Sequence, residues 1–282
     1  MHMRKITALD EGHPTSDGAG VRLFRVFSPN DPAGLDPFLL LDEFRSDAAA
    51  DYIAGFPAHP HRGFETVTYM LEGEMLHEDH LGNRGRLTSG SVQWMSAGRG
   101  VIHSEMPQQE EGRMHGFQLW INLPAAEKLK DAVYRDISPE AVPEAPLPDG
   151  GLARVIAGRL DLDGTPVDGA VTGISTDPLY VDLHLPAGAA TTFPVTAGHT
   201  ALAYVYAGTL AIAGETVGAR QLARLGDGDA VRLQAGDTGA RVLLLAARPL
   251  HEPVVHHGPF VMNTPEEIAQ AIADYREGRL TA

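Results

Sequence analysis

Two short motifs carry the side chains most able to do chemistry: His59-Pro60-His61 and, further along, His103-Ser104-Glu105. Imidazole nitrogen and carboxylate oxygen are the donors of mixed N/O metal sites. In an extended strand successive side chains point to opposite faces, so positions i and i+2 share a face. His59 and His61 are therefore expected to project together from one strand, and His103 and Glu105 together from another. If those strands face each other in a small barrel, three imidazoles and one carboxylate converge on a point inside it. With 13 histidines in 282 residues, about 0.6 His-x-His pairs arise by chance, so the pair alone carries little, and hydrogen-bonded core histidines are the competing explanation.

The surroundings of both motifs favour the metal. His59 follows Phe56-Pro57 and precedes Arg62-Gly63-Phe64-Glu65 and a run from Thr66 to Gly73 of strand-type composition. Before His103 comes Gly90 to Ile102, which reads as a strand closed by glycine turns and then a second strand bearing the ligands. Further strands are expected at Val21 to Phe27, Glu65 to Leu71, Met75 to Asp79, Ser91 to Met95 and Phe117 to Leu123, with Gly82-Asn83 and Ser89-Gly90 as turns. Gly (31) and Pro (20) are abundant and helix-like periodicity is scarce, so the expected fold is all-β, built from many short strands.

One internal comparison sets the architecture. Tyr69 to Gly73 matches Tyr204 to Gly208, and Gly90 to Gly98 matches Gly228 to Gly236 at the same spacing. Two consecutive copies of a small β-barrel are expected: residues 1–136 with the metal ligands, a Pro-rich linker at 137–151, and residues 152–282 ending in a short helix. Transferred across the repeat, His59 and His61 fall opposite Pro194 and Thr196, and His103 and Glu105 opposite Arg241 and Leu243. That set cannot make a comparable site, so the second barrel is expected to keep the fold without the metal. His199 reads as a lone surface or core histidine. The helix begins at Asn263-Thr264-Pro265-Glu266-Glu267 and stops at Gly278, with Ile268, Ile272 and Tyr275 along one face.

Composition excludes several classes. With 22 basic and 37 acidic residues the formal charge is −15, which disfavours direct binding of nucleic acid phosphates. Any role at DNA would run through a protein partner. Cysteine is absent, so neither a disulfide framework nor a thiol nucleophile exists. The first residues lack the apolar core of a signal peptide and no stretch approaches 18 apolar residues, so no membrane association and a cytoplasmic location are expected.

With His-x-His, a glycine-bounded strand and His-x-Glu inside a duplicated barrel, the chain resembles a bicupin (two consecutive cupin domains), and more closely the pirin family. The segments Phe38 to Asp42, His59 to Thr66, Gln93 to Gly100, His103 to Pro107 and Gly258 to Asn263 are similar to that family's signature over most of the chain's length. The general cupin pattern nominates Glu65 as the carboxylate ligand, but here seven residues rather than six separate it from Gly73. The pirin pattern takes its carboxylate from the His-x-Glu pair. The resemblance thus implies His59, His61, His103 and Glu105 as ligands of one divalent ion, with Fe(II) the implied metal, and leaves Glu65 a supporting or structural role.

Three histidines and one carboxylate leave two positions of an octahedral ion open, enough for a bidentate substrate or for substrate plus dioxygen. The resemblance to bacterial pirins implies a dioxygenase that cleaves a flavonol such as quercetin with O2, with release of carbon monoxide. Glu105 would either ligate the metal or take the substrate's hydroxyl proton as general base. The family equally permits a regulatory protein whose metal oxidation state tunes a surface for an enzyme or transcription factor, and a barrel with a merely stabilising metal is a third possibility. An apolar slot beside the metal separates catalysis from regulation. Phe64, Met70, Trp94 and Met114 are candidates for its walls, against the alternative that they are plain barrel core. His77, His80 and His115 have no assigned role.

Overall fold

A computed structural model describes residues 1–31, 35–162 and 164–282. Among the described residues the chain is built of antiparallel strands with one α-helix, Pro265–Arg276, and it forms two compact units that depart from simple sequence order. The unit holding the His-x-His motif comprises most of residues His13 to Pro139 together with Leu250–Ala282, and the other comprises Met1–Gly12 and Glu140–Pro249 with a few residues before Phe38. The change of unit at Pro139/Glu140 lies within the expected 137–151 segment, while each chain end belongs to the unit other than its sequence neighbour. Ile6–Glu11 pairs with Gln221–Leu225, and the C-terminal helix buries Ile268 and Ala271 with Phe260, Met262 and Leu280 of the first unit. The expected linker is itself structured, because Glu144–Pro146 pairs with Leu152–Ala157 and buries Ala145 and Leu147 in the second core.

Among the described residues the first unit holds two main sheets and a two-stranded ribbon, Val255–His257 with Phe260–Met262. The larger runs in the order Val133–Ile137, Val92–Ser96, Phe64–Glu72, Met114–Asn122, Phe38–Ser46, Val21–Phe27, His13–Asp17. The smaller runs Phe56–His61, Val101–Pro107, Met75–Asp79, Arg84–Leu87. Central strands such as Phe64–Glu72 are buried on both faces, whereas Arg84–Leu87 alternates exposed and buried, as an edge strand with one wet face must. The chain reverses from the first ligand strand into Phe64–Glu72 at Gly63, where φ is +91° and a Cβ would overlap the Val261 carbonyl. Only glycine fits there.

The turn at Gly63 is fastened from below. The Lys128 ammonium, 1% exposed, donates to the Gly63 carbonyl at 2.8 Å, the Asn122 Oδ1 at 2.6 Å and the Val261 carbonyl at 3.0 Å. Arg62 donates to the Arg99 and Leu280 carbonyls and pairs with Asp274 of the helix at 2.8 Å. The helix starts at a capping box: the Thr264 hydroxyl accepts from the Glu267 amide, and the Glu267 carboxylate accepts from the Thr264 amide. Ile268 lies on the expected buried face, but Tyr275 is 42% exposed.

The second unit contains a nine-stranded antiparallel sheet built around Thr200–Ile212 and Ala230–Ala247 and a two-stranded ribbon, Arg159–Leu162 with Thr165–Asp168, packed on a core that includes Val181, Leu183, Val205, Leu233 and Leu244. No helix among the described residues is long and apolar enough to cross a membrane.

Candidate metal centre

The two ligand-bearing strands are neighbours in one sheet rather than opposite walls of the barrel. His59 sits directly across from His103, and His61 across from Val101, in antiparallel register. Between His103 and Glu105 the register shifts, with three steps on the Phe56–His61 strand against two on the other, so Glu105 falls opposite Phe56; the surplus residue lies on the Phe56–His61 strand, and His103 to Glu105 pair with Met75–Asp79 without a shift. The alternation read from the sequence thus holds on each strand, and direct cross-strand pairing brings the imidazoles together.

Ring nitrogens of His59, His61 and His103 all lie within 4.8 Å of one another, a spacing that could hold a metal ion, and this is the one such group found among the described residues. His59 Nε2 lies 3.0 Å from His61 Nε2. The Glu105 carboxylate stands 3.9 Å from His59 Nε2 and 3.5 Å from His103 Nδ1. His103 Nε2 and Glu105 Oε2 are buried with no hydrogen-bond partner. An unsatisfied buried polar atom costs about 1–3 kcal/mol, so satisfied core histidines, the competing explanation, do not describe this cluster. A cation among these atoms would engage each of them.

Titration directions agree with that reading. Burial, and then the neighbouring imidazoles, hold His61 and His103 well below the ordinary histidine range, and burial lowers His59. The rings are therefore neutral near pH 7 with lone pairs to offer. Burial pushes the Glu105 carboxyl up to about 8. A bound cation would reverse that shift by favouring the carboxylate.

Other acidic and imidazole groups have separate engagements. Glu65 lies on the larger sheet opposite Ser96, accepts from Trp94 Nε1 at 3.2 Å and lies 3.7 Å from the Lys130 ammonium. It is absent from the three-histidine group, in line with a structural role. His115 pairs with Glu43 at 2.9 Å, and the His80 ring accepts from the Ile102 amide. His77 is different. Fully buried on Met75–Asp79, the third strand of the smaller sheet, it places Nε2 3.0 Å from His103 Nδ1. Sequence reasoning assigns this residue no role, because its proximity depends on strand register; burial of Met75 and His77 two apart is the local sign.

A slot of about 670 Å³ opens beside the cluster, with His59, His61 and Glu105 in its lining. Its apolar wall includes Leu23, Leu40, Phe44, Phe56 and Trp120, and the Trp120 ring meets His61 edge-on at 5.4 Å. None of Phe64, Met70, Trp94 and Met114 lines it. Met70 and Met114 pack in a core with Val21 and Tyr52, Phe64 packs with Leu39 and Val261, and Trp94 is bound to Glu65. The plain-core alternative holds for all four.

Comparison with known proteins bears on the whole chain. Residues 20–121 match the family model described as Pirin, and residues 180–281 match the Pirin C-terminal cupin domain. A Pseudomonas aeruginosa protein named provisionally as a quercetin 2,3-dioxygenase is 55% identical, with 98% of each chain covered. Pirin of Homo sapiens is 41% identical over 98% of this chain and 93% of its own. Among solved structures, quercetin 2,3-dioxygenase from Acinetobacter baumannii superposes with a TM-score of 0.90 at 34% identity, covering 99% of each chain. A bacterial pirin from Escherichia coli in complex with nickel(II) shares the fold, with a TM-score of 0.68 at 24% identity over 86% of this chain and 98% of its own.

Proposed function

The chain belongs to the pirin family, and from that premise we propose that it is a metal-dependent dioxygenase acting on a flavonol such as quercetin. The observation that carries this reading is the adjacency of two features: ring nitrogens of three histidines within 4.8 Å, two of the residues buried and His59 half-buried, and an apolar slot of about 670 Å³ lined by two of them and by Glu105. A sensor has no need of a ligand-sized slot beside its metal, so the slot favours catalysis over the regulatory alternative. The names of two relatives, from Pseudomonas aeruginosa and Acinetobacter baumannii, supply the flavonol as substrate class.

In this proposal His59, His61, His103 and Glu105 hold one divalent ion, with Fe(II) as the assigned metal. Fe(II), when bound, supplies open positions and redox capacity for the reaction of dioxygen with an electron-rich enol. The protein's own groups do the rest. Neutral imidazoles bind without first losing a proton. Trp120 and Leu40, side by side on one sheet face, offer an apolar floor over which flat rings lie. Glu105 either completes the ligand set or holds the proton of the substrate hydroxyl as general base. Overall, one flavonol and one dioxygen give a ring-opened ester and one carbon monoxide, with two C–C bonds broken and both dioxygen atoms retained in the ester.

Oxygen-electrode measurements test the reading. Fe(II)-loaded protein should take up one equivalent of O2 per quercetin, and uptake should cease on chelation. Fully loaded protein that takes up no O2 would transfer the assignment to the regulatory class.

A further inference from the structure

The slot carries a second set of groups that holding a metal does not use. Arg25, Asp42, Gln118 and Thr68 all line it, and they form a single row across four neighbouring strands: Arg25 opposite Asp42, Asp42 opposite Gln118, Gln118 opposite Thr68. Directly opposed residues share a sheet face. The row is tied together internally. Arg25 Nε and Nη2 donate to the two Asp42 carboxylate oxygens at 2.9 and 2.8 Å, and the Thr68 hydroxyl donates to Gln118 Oε1 at 2.6 Å.

The row stands one pleat away from the metal end. Trp120 and Leu40, the pair that follows two residues along the same strands, meet the imidazoles through the His61–Trp120 edge contact. Positions i and i+2 of a strand are about 7 Å apart, roughly the width of one aromatic ring. A flat ligand held at Glu105 and lying over Trp120 and Leu40 would thus bring its far edge to Gln118 and Asp42.

We propose that the Arg25–Asp42–Gln118–Thr68 row is the subsite that recognises the far end of the substrate, and that the group it selects is a neutral, hydroxyl-bearing aromatic ring. This rests on the dioxygenase reading for the identity of the near end. The charge pattern selects hydroxyls over an acid. Asp42 already neutralises Arg25, and Asp17 lies 3.0 Å from the same guanidinium, so no unbalanced positive charge is left for a carboxylate or phosphate. A ring hydroxyl can donate to the Asp42 carboxylate and accept from the Gln118 amide, whose oxygen the Thr68 hydroxyl occupies.

Binding under argon separates this subsite from the chemistry. Fe(II)-loaded protein is titrated by calorimetry with quercetin, which carries hydroxyls on its pendant ring, and with galangin, which lacks them there. The wild type should prefer quercetin by about tenfold, as one or two hydrogen bonds provide. Gln118→Leu should bring that ratio close to one, and Thr68→Val, which frees the amide to turn, should bring it to about threefold. Equal wild-type affinities, or an unchanged ratio in a folded Gln118→Leu, would overturn the proposal. Should Gln118→Leu not fold, an unchanged ratio in Thr68→Val would overturn it equally. Discrimination in binding without carbon monoxide on admitting air would defeat the dioxygenase reading and leave the subsite standing.

Discussion

His77 Nε2 lies 3.0 Å from His103 Nδ1, so the ring that supports one member of the three-histidine cluster is itself an imidazole. With Nδ1 engaged, the buried His103 Nε2 is left without a hydrogen-bond partner. Ring partners of this kind fix tautomer and orientation, and their loss costs 10–100-fold in metal affinity. His77→Leu should weaken Ni(II) or Fe(II) binding by about that factor, measured by competition with a chromogenic chelator, whereas His77→Gln, which keeps a polar atom near the same place, should recover part of it. Unchanged affinity in both variants would remove His77 from the centre.

Removing one proposed ligand at a time should separate holding from chemistry. His61→Ala should lose nearly all metal under conditions that saturate the wild type, as read by metal analysis after gel filtration. Glu105→Gln should retain metal while losing turnover if the carboxylate acts as base, and should lose metal if it is an indispensable ligand. Full occupancy together with full turnover would exclude Glu105 from both roles.

Metal-free protein should become less stable as pH rises from about 6.5 to 8. Glu105, held up at about 8 when folded against roughly 4.3 in the unfolded chain, keeps a proton that the unfolded chain has released, so stability is lost as pH rises through that window. The cluster histidines act in the other direction: their lowered values cost stability only as pH falls below their ordinary 6.5. Urea unfolding of chelated protein should show a loss of about 1–2 kcal/mol between pH 6.5 and 8, abolished in Glu105→Gln. Parallel pH profiles for the two proteins would contradict the assignment.

Lys128→Met should cost about 3 kcal/mol or more, because it leaves the Gly63 and Val261 carbonyls and the Asn122 Oδ1 without their buried donor. Burial lowers the Lys128 ammonium to about 8, so it is still charged at pH 7. A shift of the urea midpoint within error of zero would mean that these acceptors find other donors.

The motif residues were legible because strand alternation is local. His59 and His61 needed only a period of two to share a face, and so did His103 and Glu105. What the sequence withheld was pairing. Nothing in Met75–Asp79 announces that it lies beside the His103 strand, so His77 passed as unassigned. The slot walls were misjudged for the same reason: Trp120 reaches His61 and Gln118 reaches Thr68 through register across the sheet, while Met70 and Met114 point into a separate core. Chain ends were equally hidden, since Ile6–Glu11 and the C-terminal helix each complete the unit at the other end of the sequence.

The most direct test of the central claim is carbon monoxide release. Protein loaded anaerobically with Fe(II) is mixed with quercetin and then exposed to air, and flavonol absorbance and carbon monoxide are followed together. Loss of the flavonol with one equivalent of carbon monoxide, absent in His61→Ala, is the predicted result. Loaded wild-type protein that leaves quercetin intact and releases no carbon monoxide would contradict it.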